Sequence, residues 1–203
     1  GGHRVGYHTE FQVARGCKTG ALDDGGIYRT WAEVRPTFEP NTEAVWLDDA
    51  MLNYAAAWLG KNPGLCWTEH VAFAEKLSAQ TGVPYFGPQG RDATGRHLEE
   101  TKLAPAIVSI AANAEGRNLQ SWNQNLIVSL PGNGRVLEQL LGRTHRPGQL
   151  ADEVSVDLAL ACTEHWGGWQ AAVRDAEYIQ RTTGQPQKLL YADVDMPDVG
   201  EGT

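Results

Sequence analysis

The residues most able to do chemistry in this chain lie in Gln139-x-x-Gly142-Arg143-x-His145-Arg146-x-Gly148-Gln149. Arg143 and Arg146 stand three positions apart, which puts them on one side of a helical turn. Pro147 and Gly148 stop the turn directly behind them. Two planar, always-charged guanidinium forks in that arrangement can grip a phosphate chain by paired hydrogen bonds. The same residues also suit a plainer role, because cations at a helix C-terminus complement the helix dipole. Spacing alone leaves both readings open.

The elements that must hold these residues can be read outward from them. Leu126-Ile127-Val128 is a short apolar run with the length and flanks of a buried strand. Pro131-Gly132-Asn133-Gly134 then breaks the chain, since Pro fixes φ while Gly and Asn tolerate positive φ. From Arg135 the pattern turns helical, with Val136, Leu137, Leu140 and Leu141 on one face. The expected result is strand, turn and helix, with the basic cluster at the helix's far end.

The segment from Gln139 to Gln149 resembles motif VI of superfamily 2 helicases. Its His145-Arg146-x-Gly148-Gln149 ending is most similar to Swi/Snf-type DNA translocases and related phage helicases; DEAD-box RNA helicases usually carry Arg where this chain has Gln149. Upstream, Ser109 to Gln120, with Asn113, Glu115-Gly116-Arg117-Asn118 and Leu119, is similar to motif V. The resemblance spans residues 44 to 162 and implies a RecA-like second lobe, in which ATP and Mg²⁺ are held between two such lobes. It implies Arg146 as the main arginine finger, Arg143 as a supporting γ-phosphate contact, and Gln139, Gly142, Gly116 and Asn118 near the nucleotide. It also implies Ser109 and Asn113 near DNA phosphates. The junction at Thr68 resembles motif IV, and Thr68 would join them there as a helix N-cap whose neighbouring amides attract anions. The implied partners are DNA and an N-terminal RecA-like lobe, in a DNA replication or translocation setting, and the compact motifs suggest a phage source.

Composition narrows the classes. The chain has 203 residues and is 41% hydrophobic, enough for one well-buried domain with appendages. Lys and Arg number 17 against 25 Asp and Glu, a formal charge of −8, so any grip on nucleic acid must come from a local basic patch. Cys17, Cys66 and Cys162 are odd in number and unpaired in spacing, which fits a reduced, cytoplasmic protein, in the host cytoplasm if phage-encoded. No apolar run reaches membrane-spanning length, so no membrane partner is expected.

Taken in order, residues 1–41 are broken by Gly and Pro and suggest an irregular extension of small strands and loops. Arg4, Arg15, Lys18, Arg29 and Arg35 there are read as surface charge before DNA contact. Gly16-Cys17-Lys18-Thr19 fails as a phosphate-binding loop, because Gln12 and Cys17 occupy positions that need Gly. Trp46, Leu47, Ala50, Tyr54, Ala57 and Trp58 fall at helical spacing before Gly60. Gly64–Trp67 and Val83–Phe86 are strand candidates flanking a helix with Val71, Phe73, Ala74 and Leu77. A polar helix is expected from Thr94 to Leu103, a buried strand at Ala106–Ile110, and another strand at Val154–Leu160. Thr163 to Thr183 reads as a long helix with Trp166, Trp169, Val173, Ala176 and Ile179 inward, and Lys188–Val194 as an edge strand. Cys162-x-x-His165 lacks a partner pair, so no metal site is expected.

The expected whole is an α/β, RecA-like domain over residues 42–190 with a mainly parallel sheet, and an acidic tail from 191 to 203. Without an intact P-loop or acidic metal-binding box, the chain alone is expected neither to hold a cofactor nor to hydrolyse ATP. The rival expectation is a non-catalytic DNA-binding or interaction module with the same fold, gripping DNA through its N-terminal segment.

Overall fold

The computed structural model describes residues 10–39, 43–113, 117–130 and 134–192. It divides into two compact units, Gly1–Val45 and Trp46–Thr203.

In the first unit, the runs expected as small strands are helical: α1 spans Glu10–Thr19 and α2 spans Ile27–Val34. The glycines punctuate helices here. Gly20 follows α1 at φ 72° and Gly26 precedes α2 at φ 85°, backbone angles that a residue with a Cβ rarely adopts. The failed phosphate-loop sequence Gly16–Thr19 lies inside α1, so its amides belong to a helix rather than to a phosphate cradle.

The second unit is a five-stranded sheet, all parallel, in the order β2-β3-β1-β4-β5. The strands are β1 (Leu65–Thr68), β2 (Tyr85–Phe86), β3 (Ala106–Ser109), β4 (Gln124–Ile127) and β5 (Ser155–Leu158). The α/β, mainly parallel expectation therefore holds. On one face lie α3 (Ala50–Leu59) and α4 (Val71–Thr81), with Cys66, Ile107 and Leu126 beneath them. On the other lie α6 (Gly134–Thr144), α7 (Thr163–Thr183) and α8 (Lys188–Tyr191), over Leu65, Trp67, Val108 and Ile127. The alternation of Leu65, Cys66 and Trp67 between two cores explains why the central strands are apolar throughout. Burial pushes the Cys66 thiol up to about 12, so it packs as a small apolar group. The short helix α5 (Ile110–Asn113) follows β3 directly. Among the described residues no helix is long and apolar enough to cross a membrane.

Four expectations are corrected here. Helix α3 begins at Ala50, where the Asp48 carboxylate accepts the Ala50 N–H, and it buries Leu52, Ala55, Trp58 and Leu59. Tyr54 and Ala57, which share the helical spacing, face solvent. Helix α4 has His70 at its N-cap with no side-chain cap, not Thr68. The polar helix expected from Thr94 to Leu103 is absent. Asp92 takes the Thr94 hydroxyl and the Thr94 and Arg96 amides instead, and Gly95 sits at φ 85°, so a tight loop replaces all but one short turn at Leu98–Glu100. Lys188–Tyr191 is helical rather than an edge strand, because the Glu138 carboxylate accepts the Lys188 and Leu189 amides at 2.8 and 3.2 Å. The acidic tail from residue 193 lies outside the described residues.

Candidate functional site

Helix α6 forms because Leu137 and Leu140 are fully buried while Val136 and Leu141 pack beside them, the stripe its spacing predicts. Gly134 opens it where a Cβ would lie 2.8 Å from the Ala172 carbonyl oxygen, so α6 and α7 approach closely at that point. From the carboxyl end of β4 the helix runs back toward the strands' amino ends. There Thr144 is fully buried and its hydroxyl accepts from the Asn125 amide at 3.2 Å. Asn125 also donates to the Ser155 carbonyl at 3.3 Å and accepts the Trp67 indole N–H at 3.1 Å. One buried amide thus ties the end of α6 to β1, β4 and β5, with both of its polar atoms satisfied.

Beyond Thr144 the chain turns sharply. The Gln149 amide donates to the Trp122 and Thr144 carbonyls at 2.8 and 3.1 Å, and its oxygen accepts the Ala151 N–H at 3.0 Å. The residue that distinguishes this ending from the DEAD-box pattern is therefore a clasp within the fold. Gly148 adopts φ 96°, and a Cβ there would come within 2.8 Å of the Gln120 side chain. These constraints shape the turn that carries His145 and Arg146, both exposed.

Of the expected nucleotide-side residues, Gln139, Gly142, Arg143 and Arg146 line one cleft. The Arg143 carbonyl accepts the Leu119 N–H at 3.2 Å, and the Arg143 guanidinium donates to the Arg117 carbonyl at 3.3 Å. This sets Asn118, exposed, against the end of α6. The segment Arg117–Leu119 therefore lies at the amino edge of the sheet, away from the carboxyl edge where open α/β sheets usually bind ligands. Gly116 lies outside the described residues. Arg117 in turn pairs with both oxygens of Glu99 at 2.9 Å and with the Gln89 carbonyl, which braces the segment from outside. Arg143 is thus half-buried and held, whereas the Arg146 guanidinium makes no hydrogen bond or ion pair with any described residue. Two adjoining open clefts of about 410 Å³ each flank this turn. Gln139, Gly142, Arg143 and Arg146 line one of them, joined by Glu138 and Lys188, which sequence reasoning missed.

The expected DNA-side residues form a separate group at the carboxyl edge. Thr68 is 1% exposed; its hydroxyl meets the Ser129 hydroxyl at 3.1 Å and accepts the His70 N–H at 3.1 Å. Asn113 is fully buried, and its amide donates to the Phe86 and Ser109 carbonyls at 3.1 Å each. Ser109 is half-buried. Among the described residues no group of three or more His, Cys, Asp or Glu side chains is placed to hold a metal ion; His165 accepts the Ala161 N–H.

No protein-family description and no curated protein sequence matches the chain. Among solved structures, the C-terminal part of the Fun30 ATPase domain is similar in fold, with a TM-score of 0.50 at 16% identity. The match covers 79% of this chain and 58% of that structure, so the chain spans little more than half its length. At that identity the likeness speaks for the RecA-like fold alone.

Proposed function

We propose that this chain is the C-terminal RecA-like lobe of an ATP-dependent DNA helicase or translocase of the Swi/Snf kind. It supplies arginine fingers to ATP and Mg²⁺ held on a separate N-terminal lobe, and it contacts the DNA backbone. One observation carries the reading: Arg146 projects from a turn clamped by Gln149 and Thr144 into an open cleft, unengaged by any described residue, beside an Arg143 that is braced. A turn held by the Gln149 side chain presents the guanidinium with its donors unused, as charge stabilisation on a transferring phosphoryl group requires. Arg143 then orients the terminal phosphate, with Gln139 a polar contact at the same lobe boundary. Opening and closing of the lobes around ATP would step the domain along DNA.

The test is ATP turnover in the two-lobed protein. Arg146→Ala is expected to lower kcat by roughly 10³-fold, the scale of arginine-finger loss, with DNA affinity unchanged. Turnover equal to the parent protein would sink the finger assignment. Fluorescence anisotropy of this chain with single- and double-stranded DNA across a salt series tests the other half. Affinity falling steeply with salt supports phosphate contact by the lobe itself, because bound counterions are released. Affinity that survives loss of both arginines but disappears with Arg15, Lys18 and Arg29 would favour the non-catalytic module.

A further inference from the structure

Lys188 reaches the arginine cleft from a different part of the chain. It is the first residue of α8, and it lines both clefts together with His145 and Arg146. Its placement is built rather than accidental. Leu189 beside it is 5% exposed and anchors α8 in the core, and Glu138 on α6 accepts the Lys188 and Leu189 amides. The lysine side chain lies beside α6 at Gly142, where a Cβ would be 3.9 Å from both Cε and Nζ of Lys188, ordinary contact distance. Its Nζ is 3.7 Å from Glu138, a loose contact for an ion pair, and the side chain is 40% exposed. The Glu138 carboxylate is already occupied by two backbone amides, so the ammonium keeps donors directed to solvent.

One cleft gathers Arg143, Arg146 and Lys188 against the carboxylate of Glu138, and the adjoining one sets Arg146 and Lys188 against Asp152, a local positive excess on a chain of net charge −8. We infer that Lys188 is a third phosphate-contacting cation of this site, binding terminal oxygens of a polyphosphate chain beside Arg146; this rests on the cleft reading proposed above. Lysine suits the position as a compact point charge whose donors rotate to whichever oxygens the planar guanidiniums leave.

The experiment is calorimetric titration of this chain with inorganic tripolyphosphate at low salt, comparing the parent with Lys188→Met, Lys188→Arg and Arg146→Ala. Lys188→Met is expected to weaken binding about fivefold, Lys188→Arg to restore most of it, and Arg146→Ala to weaken it at least as much. Thermal midpoints should match the parent in every case, separating loss of contact from loss of fold. Weakening by Arg146→Ala but not by Lys188→Met would overturn the Lys188 assignment and leave the cleft reading intact. No binding by the parent, or binding indifferent to Arg146→Ala, would overturn the cleft reading and this inference with it.

Discussion

The two edges of the sheet treat polar side chains in opposite ways. At the carboxyl edge, Thr68, Ser129 and Asn113 are buried and bonded to one another or to backbone. At the amino edge, the buried polar residues Asn125 and Thr144 serve as a foundation, and the residues mounted on it, His145 and Arg146, stand in solvent. The first edge uses polarity to close the fold. The second uses it to hold charge open. A side chain available for chemistry is thus marked by its unused donors and by the rigidity of what lies beneath it, and residue type alone does not separate Arg146 from Asn113.

The comparison can be broken most forcefully at the foundation. Asn125→Ala strands the Trp67 indole and the Thr144 hydroxyl in the core and is expected to cost about 3 kcal/mol, read by urea denaturation. A loss under about 1 kcal/mol would mean that the amino edge does not depend on that amide. Gly148→Ala forces a side chain into the left-handed region and should cost about 1–2 kcal/mol while displacing Arg146, so tripolyphosphate affinity should fall with stability. Thr68→Val keeps shape and removes the hydroxyl bonds; about 1 kcal/mol of stability should go, with DNA affinity in the anisotropy assay unchanged. A drop in DNA affinity at unaltered stability would instead support Thr68 as a DNA contact. Arg146→Ala sharpens the contrast by its smallness, since removing an unengaged surface side chain should move stability by no more than about 0.5 kcal/mol.

Much of the fold was legible because the strands and long helices carry their own periodicity. Leu137 and Leu140 repeat at helical spacing, and Trp169, Val173 and Ala176 do the same along α7. Two of the misses came from side chains that competed for backbone amides, one by local turn bonding and one from far along the chain. Asp92 captured amides that a helix at Thr94 would have used, and Glu138 captured those of Lys188 and Leu189 from fifty residues away. The Asp92 turn is local but was outweighed by the polar helical pattern, whereas the Glu138 contact is invisible in a window of neighbouring residues. The start of α3 was placed too early because Trp46 and Leu47 share its spacing but precede its first turn.

By itself, then, the sequence determined a parallel α/β layer and a basic cluster at the end of one helix, since hydrophobic period and charge placement are local properties that a chain carries into any environment. Only the tertiary structure decided which candidate residues face solvent. Thr68 and Asn113 became internal ties because the strands around them supplied partners. Arg146 remained available because Gln149, Gly148 and the Asn125–Thr144 bond turn the chain outward at that point. Lys188 joined the cleft through a carboxylate on another helix, for burial and hydrogen bonding depend on what the fold brings alongside.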